Sequence, residues 1–205
     1  MILLNPHAHN FNPEYFGTIG ELRNCRAGEH PSRLMIACCD QGNAPDNTSL
    51  GGAGQFYVVQ NLAASIPAPD ESRGGTILGS IEYAVVKLNV RHVIVCGHSQ
   101  CGVIRRWMQS HDRSWPVPQT CSARRTLQFV TTSYSGVSHR KRVRIAIREH
   151  ILNQLEILQS YGFVRSRLQE GRLHLHGWLV DDVTARVRTF DPCVGQFVAC
   201  ETART

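Results

Sequence analysis

His98 and Cys101 stand in the order His-x-x-Cys. A neutral imidazole and a thiolate at that spacing can grip one metal ion from a single turn, and the pairing of nitrogen with sulfur suits zinc. Two donors do not complete a site, so a third must come from elsewhere in the chain. The candidate is Cys38, which ends an apolar run and is followed by Cys39 and Asp40. Cys38, His98 and Cys101 would make a Cys₂His set with one position left open, as catalytic zinc sites require. The motif alone is a weak signal, because a cysteine at a strand end is usually just a small buried hydrophobe. The set gains force only if the elements of the chain bring the three side chains together.

Those elements can be read from periodicity. Ser32 to Cys38, SRLMIAC, is a short apolar run of the kind that forms a buried strand, and His92 to Cys96 is another. If the two are parallel neighbours, their carboxyl ends open onto one crevice, which is where open α/β sheets place their ligands. Gln55 to Gln60, rich in β-branched and aromatic residues, predicts a third strand. Thr76 to Leu88 has apolar residues at helical spacing, and Arg142 to Tyr161 recovers that period through Val143, Ile147, Ile151, Leu155 and Leu158. Arg172 to Val180 and Thr184 to Phe190 alternate as strands about a turn at Asp181-Asp182. Between Ser110 and Arg140 the pattern weakens and prolines interrupt it. The order predicts an α/β fold with a mostly parallel central sheet flanked by helices, about four parallel strands plus an antiparallel edge strand. One domain over residues 1–205 is expected, with 1–30 as an N-terminal helical arm that Gly28 could stop. The arm's aromatics, Phe11, Tyr15 and Phe16, have no obvious core of their own, which predicts packing on a partner subunit.

A chain of 205 residues with 42% hydrophobic and 19% charged residues can bury a substantial core. No apolar run approaches a membrane span, and MILLNPHAHN lacks the basic and long apolar regions of a signal peptide. The expectation is a cytoplasmic protein, or one inside a microcompartment or organelle. Eight cysteines then read as metal ligands and buried thiols rather than a disulfide framework. Cys39 and Cys96 read as buried structural thiols; Cys25, Cys121, Cys193 and Cys200 have no ligand spacing. His174 and His176 share one strand face and read as satisfied or interfacial histidines. The net charge of +6 comes from arginine clusters at 105–106, 124–125 and 140–144. These predict a solvated face, since no aromatic interleaving or nucleic-acid module accompanies them.

Cys38 to Asp40, then Gly54 to Asn61, Ile81 to Ala84 and Cys96 to Gly102 form a series with specific motifs. In order they read Cys-x-Asp, Gly-x-x-x-Val-Val-x-Asn, Ile-Glu-Tyr-Ala and Cys-Gly-His-Ser-x-Cys-Gly. The series resembles the β-class carbonic anhydrases of the plant and cyanobacterial branch. So does the stretch from Leu152 through Asp182 to Phe190-Asp191-Pro192, so the likeness runs from about His30 to Pro192. It implies zinc held by Cys38, His98 and Cys101, Asp40 as the catalytic carboxylate, and reversible hydration of CO₂ to bicarbonate, a lyase reaction. It also implies homodimers or multiples of dimers.

This chain departs from the family around Asp40. Where the family has Cys-x-Asp-x-Arg, the Arg position is Gly42, so the guanidinium that holds the Asp off the metal is missing. The resemblance puts Gln55, Gln60 and Gly102 in the substrate pocket. Gln55 replaces the family's acidic residue, Gln60 its arginine, and Gly52 the substrate-contacting Gln. A free carboxylate beside an open metal position is expected to take it, making Asp40 the fourth ligand and weakening CO₂ hydration. Two other functions stay open at this point. One is hydrolysis of a CO₂ analogue such as COS or CS₂; the other is a non-catalytic zinc-binding scaffold.

Overall fold

In the computed structural model the described residues are 3–5, 8–25, 31–40, 56–69, 75–109 and 121–200. A central sheet has six strands in the order β2-β1-β3-β4-β5-β6. These are β1, Arg33–Cys38; β2, Phe56–Asn61; β3, His92–His98; β4, His174–Val180; β5, Val187–Asp191; and β6, Gln196–Ala199. The first four in spatial order are parallel, and β5 and β6 are antiparallel. The expected parallel sheet is therefore present with two antiparallel strands at that edge instead of one. β6 has only four residues and too little alternation to be legible beforehand.

All six residues of β1 are buried, the mark of a parallel strand covered on both faces. Leu34, Ile36 and Cys38 face the larger core with Val93 and Val95, whereas Met35 and Ala37 face a thinner layer with Ile94, Cys96 and Trp178. The larger layer is dominated by α5, His139–Ser160, a helix buried around much of its circumference. It crosses β3 and β4 at glycines. A Cβ at Gly97 would lie 2.7 Å from Ile151 Cδ1, and one at Gly177 would lie 3.0 Å from Leu155 Cδ1. These two positions let the helix approach the sheet closely.

The remaining helices are α1, Ile19–Asn24; α2, Thr76–Glu82; α3, Gly102–Gln109; α4, Cys121–Ser133; and α6, Gly162–Gln169. The amphipathic helix expected over Thr76 to Leu88 is present, but from Tyr83 to Lys87 it widens into a π turn with Leu88 N–H donating to Tyr83 O at 3.0 Å. α4 falls where the periodicity had weakened. Its apolar stripe is short and is interleaved with Thr126, which is buried yet bonded by Asn153 Nδ2 at 3.0 Å. No helix among the described residues is long and apolar enough to cross a membrane.

The N-terminal arm differs from expectation. Its described residues hold one 3₁₀ turn, Pro13–Tyr15, and the short α1, capped reciprocally by Thr18 and Glu21. Phe11 and Phe16 do have a core of their own. They pack on Phe190, with ring centroids 5.5 and 5.8 Å away, and Phe190 in turn meets Phe197. The β5–β6 hairpin supplies this partner surface. Leu4 is tied to the same hairpin through two 3.0 Å bonds with the Gln196 side chain. Gly28 lies outside the described residues.

Candidate metal centre

Parallel pairing of β1 with β3 sets the centre. Register aligns Ala37 with Cys96, so Cys38 at the end of β1 and the turn after His98 share one edge of the sheet. Cys101 closes that turn just ahead of α3, its N–H bonding His98 O at 3.4 Å. Cys38, His98 and Cys101 are all buried, and one donor atom from each lies within 4.8 Å of the others. The two sulfurs are 3.8 Å apart. Two thiolates about 2.3 Å from a tetrahedral zinc would be separated by about 3.8 Å, so the spacing fits that ion.

The imidazole supplies a second test of fit. His98 Nδ1 lies 3.1 Å from both oxygens of Asp182. That carboxylate also accepts from Gln100 N–H at 2.6 Å and from Ser99 Oγ at 3.3 Å. With Nδ1 carrying the proton, Nε2 presents a lone pair, and it is buried without a hydrogen-bond partner. An orphaned buried nitrogen facing two sulfurs is what a ligand to a cation looks like, and the carboxylate behind it fixes ring and tautomer. The sequence marks Asp182 only as part of a turn. The signal available was its position two residues past β4, the strand that lies beside β3.

Electrostatics point the same way. The Cys38 thiol is lowered to about 5, first by its bond with Cys101, against the opposing effect of burial, with help from His98 and the backbone N–H groups of Asp40 and Ala63. The Asp40 N–H contact is 3.4 Å. Cys101 is pushed far up by the same sulfur–sulfur contact and by burial. Burial lowers His98, but the Cys38 sulfur and Asp182 outweigh it and raise the imidazole. Two sulfurs this close share a proton, and a divalent cation that displaces it would allow both to ionise.

Asp40 stands beside the three. Its Oδ2 accepts from Gly102 N–H at 2.5 Å and is 4.0 Å from His98 Nε2. Ligands on a tetrahedral zinc would be about 3.3 Å apart for nitrogen and oxygen. A Cβ at Gly102 would sit 2.9 Å from Asp40 Oδ2, so the glycine lets the carboxylate come this close to the turn. Gln60 is exposed on β2, opposite Ala37. Gly42, Gly52 and Gln55 lie outside the described residues.

Cys96 is core, as expected. Cys39 is exposed rather than buried, because β1 ends at Cys38 and the next residue already turns. His176 is buried with Nε2 3.0 Å from His92 Nδ1. His174 lies beside His92 with the rings tilted and their centroids 5.7 Å apart, and neither strand histidine joins the metal cluster. Arg105, Arg106, Arg124, Arg125, Arg140, Lys141 and Arg144 are exposed, the solvated face expected.

A family model described as carbonic anhydrase matches residues 33–187. The carbonic anhydrase of Synechococcus elongatus is 35% identical over 158 residues, which make up 75% of this chain and 58% of that protein. The chain thus spans little more than half the length of that relative. Among solved structures, the β-carbonic anhydrase CcaA superposes with a TM-score of 0.76 at 31% identity, covering 84% of this chain and 85% of that one. One of two tetrameric β-carbonic anhydrases from Sordaria macrospora gives 0.66 at 25% identity, covering 86% and 84%.

Proposed function

Because the chain belongs to the β-carbonic anhydrase family, we propose that it is a zinc-dependent lyase for the reversible hydration of CO₂ to bicarbonate. The observation that carries this reading is the buried pair of sulfurs, 3.8 Å apart, with the unpartnered His98 Nε2 beside them. Cys38, His98 and Cys101 hold the ion, which when bound supplies a Lewis acid that acidifies water for attack on CO₂. Asp182 orients His98. Two thiolate ligands offset the ion's formal charge, so the polar groups around it matter more than in a site built from neutral ligands.

Asp40 governs the fourth position. Gly102 N–H keeps its carboxylate at the rim of the centre. Gly42 provides no guanidinium to draw it away, so in the zinc-loaded resting protein Asp40 would serve as the fourth ligand. Activity near neutral pH is then weak. Stopped-flow CO₂ hydration with the zinc-loaded protein tests this. Slow but metal-dependent turnover is expected; none at any pH, with zinc bound, would leave a non-catalytic scaffold, and sulfide release from COS or CS₂ would move the substrate.

Assembly and location belong to the same proposal. Among the described residues β2 is an edge strand of the sheet, and Val58, Leu62, Tyr83 and Val86 leave apolar surface exposed along it and the neighbouring helix. A second copy covering that edge would bury it, giving a homodimer or a multiple of dimers. The seven cysteines whose side chains are described are all free thiols, in keeping with a reducing intracellular compartment.

A further inference from the structure

The candidate metal centre sits at the carboxyl ends of the strands, and the amino ends carry a second cluster of titratable groups. Phe56, Arg33, His92 and His174 open β2, β1, β3 and β4, and the register sets them side by side in one row. Two residues further along, Met35 and Ile94 belong to the thinner layer of the core, so the side chains of this row face that layer as well. His176 follows in the next row, beside Ile94. Arg33, His92 and His176 are all buried.

The N-terminal arm lies over this cluster. β5 pairs with β4 only from Trp178 to Val180. Nearer the start of β4 the arm takes that place: Phe16 bridges Leu175, and Gly17 N–H donates to Leu175 O at 3.4 Å. A Cβ on Gly17 would lie 3.0 Å from His174 Cβ and from His176 Cε1 and Nε2, so the glycine lets the backbone rest directly on the two histidines. α1 follows, with Ile19 and Leu22 packed against the layer of Met35, Ile94 and Trp178. Its carboxyl end is tied down by Arg33, whose Nη2 donates to Leu22 O at 2.6 Å and to Cys25 O at 3.0 Å.

The histidines under the arm have no room for added charge. His92 Nδ1 and His176 Nε2 are 3.0 Å apart and share one proton. A protonated imidazole donates from both nitrogens. On His176 the second donor would be Nδ1, which is buried with no hydrogen-bond partner. Charging both rings would set two N–H groups against each other. The charged and titratable groups around the pair are His174 of β4, Arg33 of β1, Arg91 just before β3 and Glu21 of α1. Of these only Glu21 favours the cation, and its carboxylate is engaged by Thr18, through the N–H at 2.7 Å and Oγ at 3.0 Å. Burial first, and the neighbouring positive groups after it, lower His92 from 6.5 to about 4 and hold His176 well below its ordinary value.

We propose that His92 and His176 form an acid-operated latch for the N-terminal arm: neutral, they let Phe16, Gly17 and α1 lie on the sheet, and protonated, they release that segment and bare the layer of Met35, Ile94 and Trp178. In the released state both rings meet water and titrate near 6.5. Closure is therefore favoured in full above pH 6.5 and loses that advantage as pH falls from 6.5 toward 4. A shift of that size on His92 alone corresponds to an opening ratio about 300-fold higher at the acid end.

Hydrogen exchange of the full chain, corrected for the intrinsic pH dependence of the reaction, reads the opening of residues 16–24. From pH 6.5 to 4.5 the opening ratio of that segment is expected to rise by about 10-fold or more, with α5 unchanged. His92→Gln combined with His176→Gln keeps a pair of neutral side chains that cannot be charged, and should abolish the rise. Should that double variant not fold, His176→Gln alone should reduce it. His9→Gln loosens the arm at its other end, away from the histidine pair, and should leave the rise in place. Equal protection of the parent segment at both pH values would overturn the latch. So would a folded glutamine variant with the parent's full response to acid, or a rise that disappears in His9→Gln.

Discussion

Replacing Cys101 by Ser exchanges a thiolate for a poor ligand, and the protein is expected to lose its metal. Zinc content by elemental analysis should fall from about one per chain to near none. Asp182→Asn tests the support behind the ligand. It keeps the size of the side chain but removes the charge behind His98 Nδ1, and metal affinity should drop by about 10- to 100-fold, measured by chelator competition. The difference between these residues is also a difference in legibility. Cys38, His98 and Cys101 declare themselves by type, spacing and position at strand ends. Asp182 does not, because its role exists only once β4 lies beside β3 in the register that pairs His98 with Val180.

Elements were legible where burial imposes a simple period. The core strands β1 and β3 and the helix α5 stand within a few residues of their expected bounds, and the residues they bury are the ones periodicity selects. α4 and β6 were not, for their short apolar patterns acquire meaning only against α5 and β5. The close crossing of α5 gives a stability prediction. Gly97→Ala would press a methyl group against Ile151, at 2.7 and 2.9 Å from its side-chain carbons. Overpacking of this kind costs about 1–3 kcal/mol, so the melting temperature should fall by several degrees.

The N-terminal arm gives a pH prediction. His9 lies 2.8 Å from Glu149 and 2.9 Å from Glu156, one carboxylate to each ring nitrogen. Burial opposes its charge, yet the two glutamates raise it from 6.5 to about 9. A folded-state value above the unfolded one stabilises fully below pH 6.5, and that contribution fades as pH rises through about 9. Its size is on the order of a few kcal/mol. Thermal melts from pH 6 to 10 should show the parent losing its advantage over His9→Gln across that window; a constant difference would contradict the clasp.

For the whole molecule, the apolar edge along β2 predicts that no stable monomer exists at micromolar concentration. Light scattering should return a mass at least twice 22.9 kDa, and Val58→Lys, which puts a charge on the edge strand, should shift the mass toward the monomer. The fold class and the family resemblance were legible because motifs spread over most of the chain agree with one another. The packing of the arm was not, since Phe11 and Phe16 find Phe190 only after the hairpin folds back. Everything proposed for function depends on one cation held by two sulfurs and one imidazole. Zinc K-edge X-ray absorption of the purified protein measures that set directly. Two sulfurs at about 2.3 Å and two lighter ligands near 2.0 Å are expected; a first shell without sulfur, or protein that carries no zinc when prepared without chelator, would contradict the assignment of Cys38, His98 and Cys101.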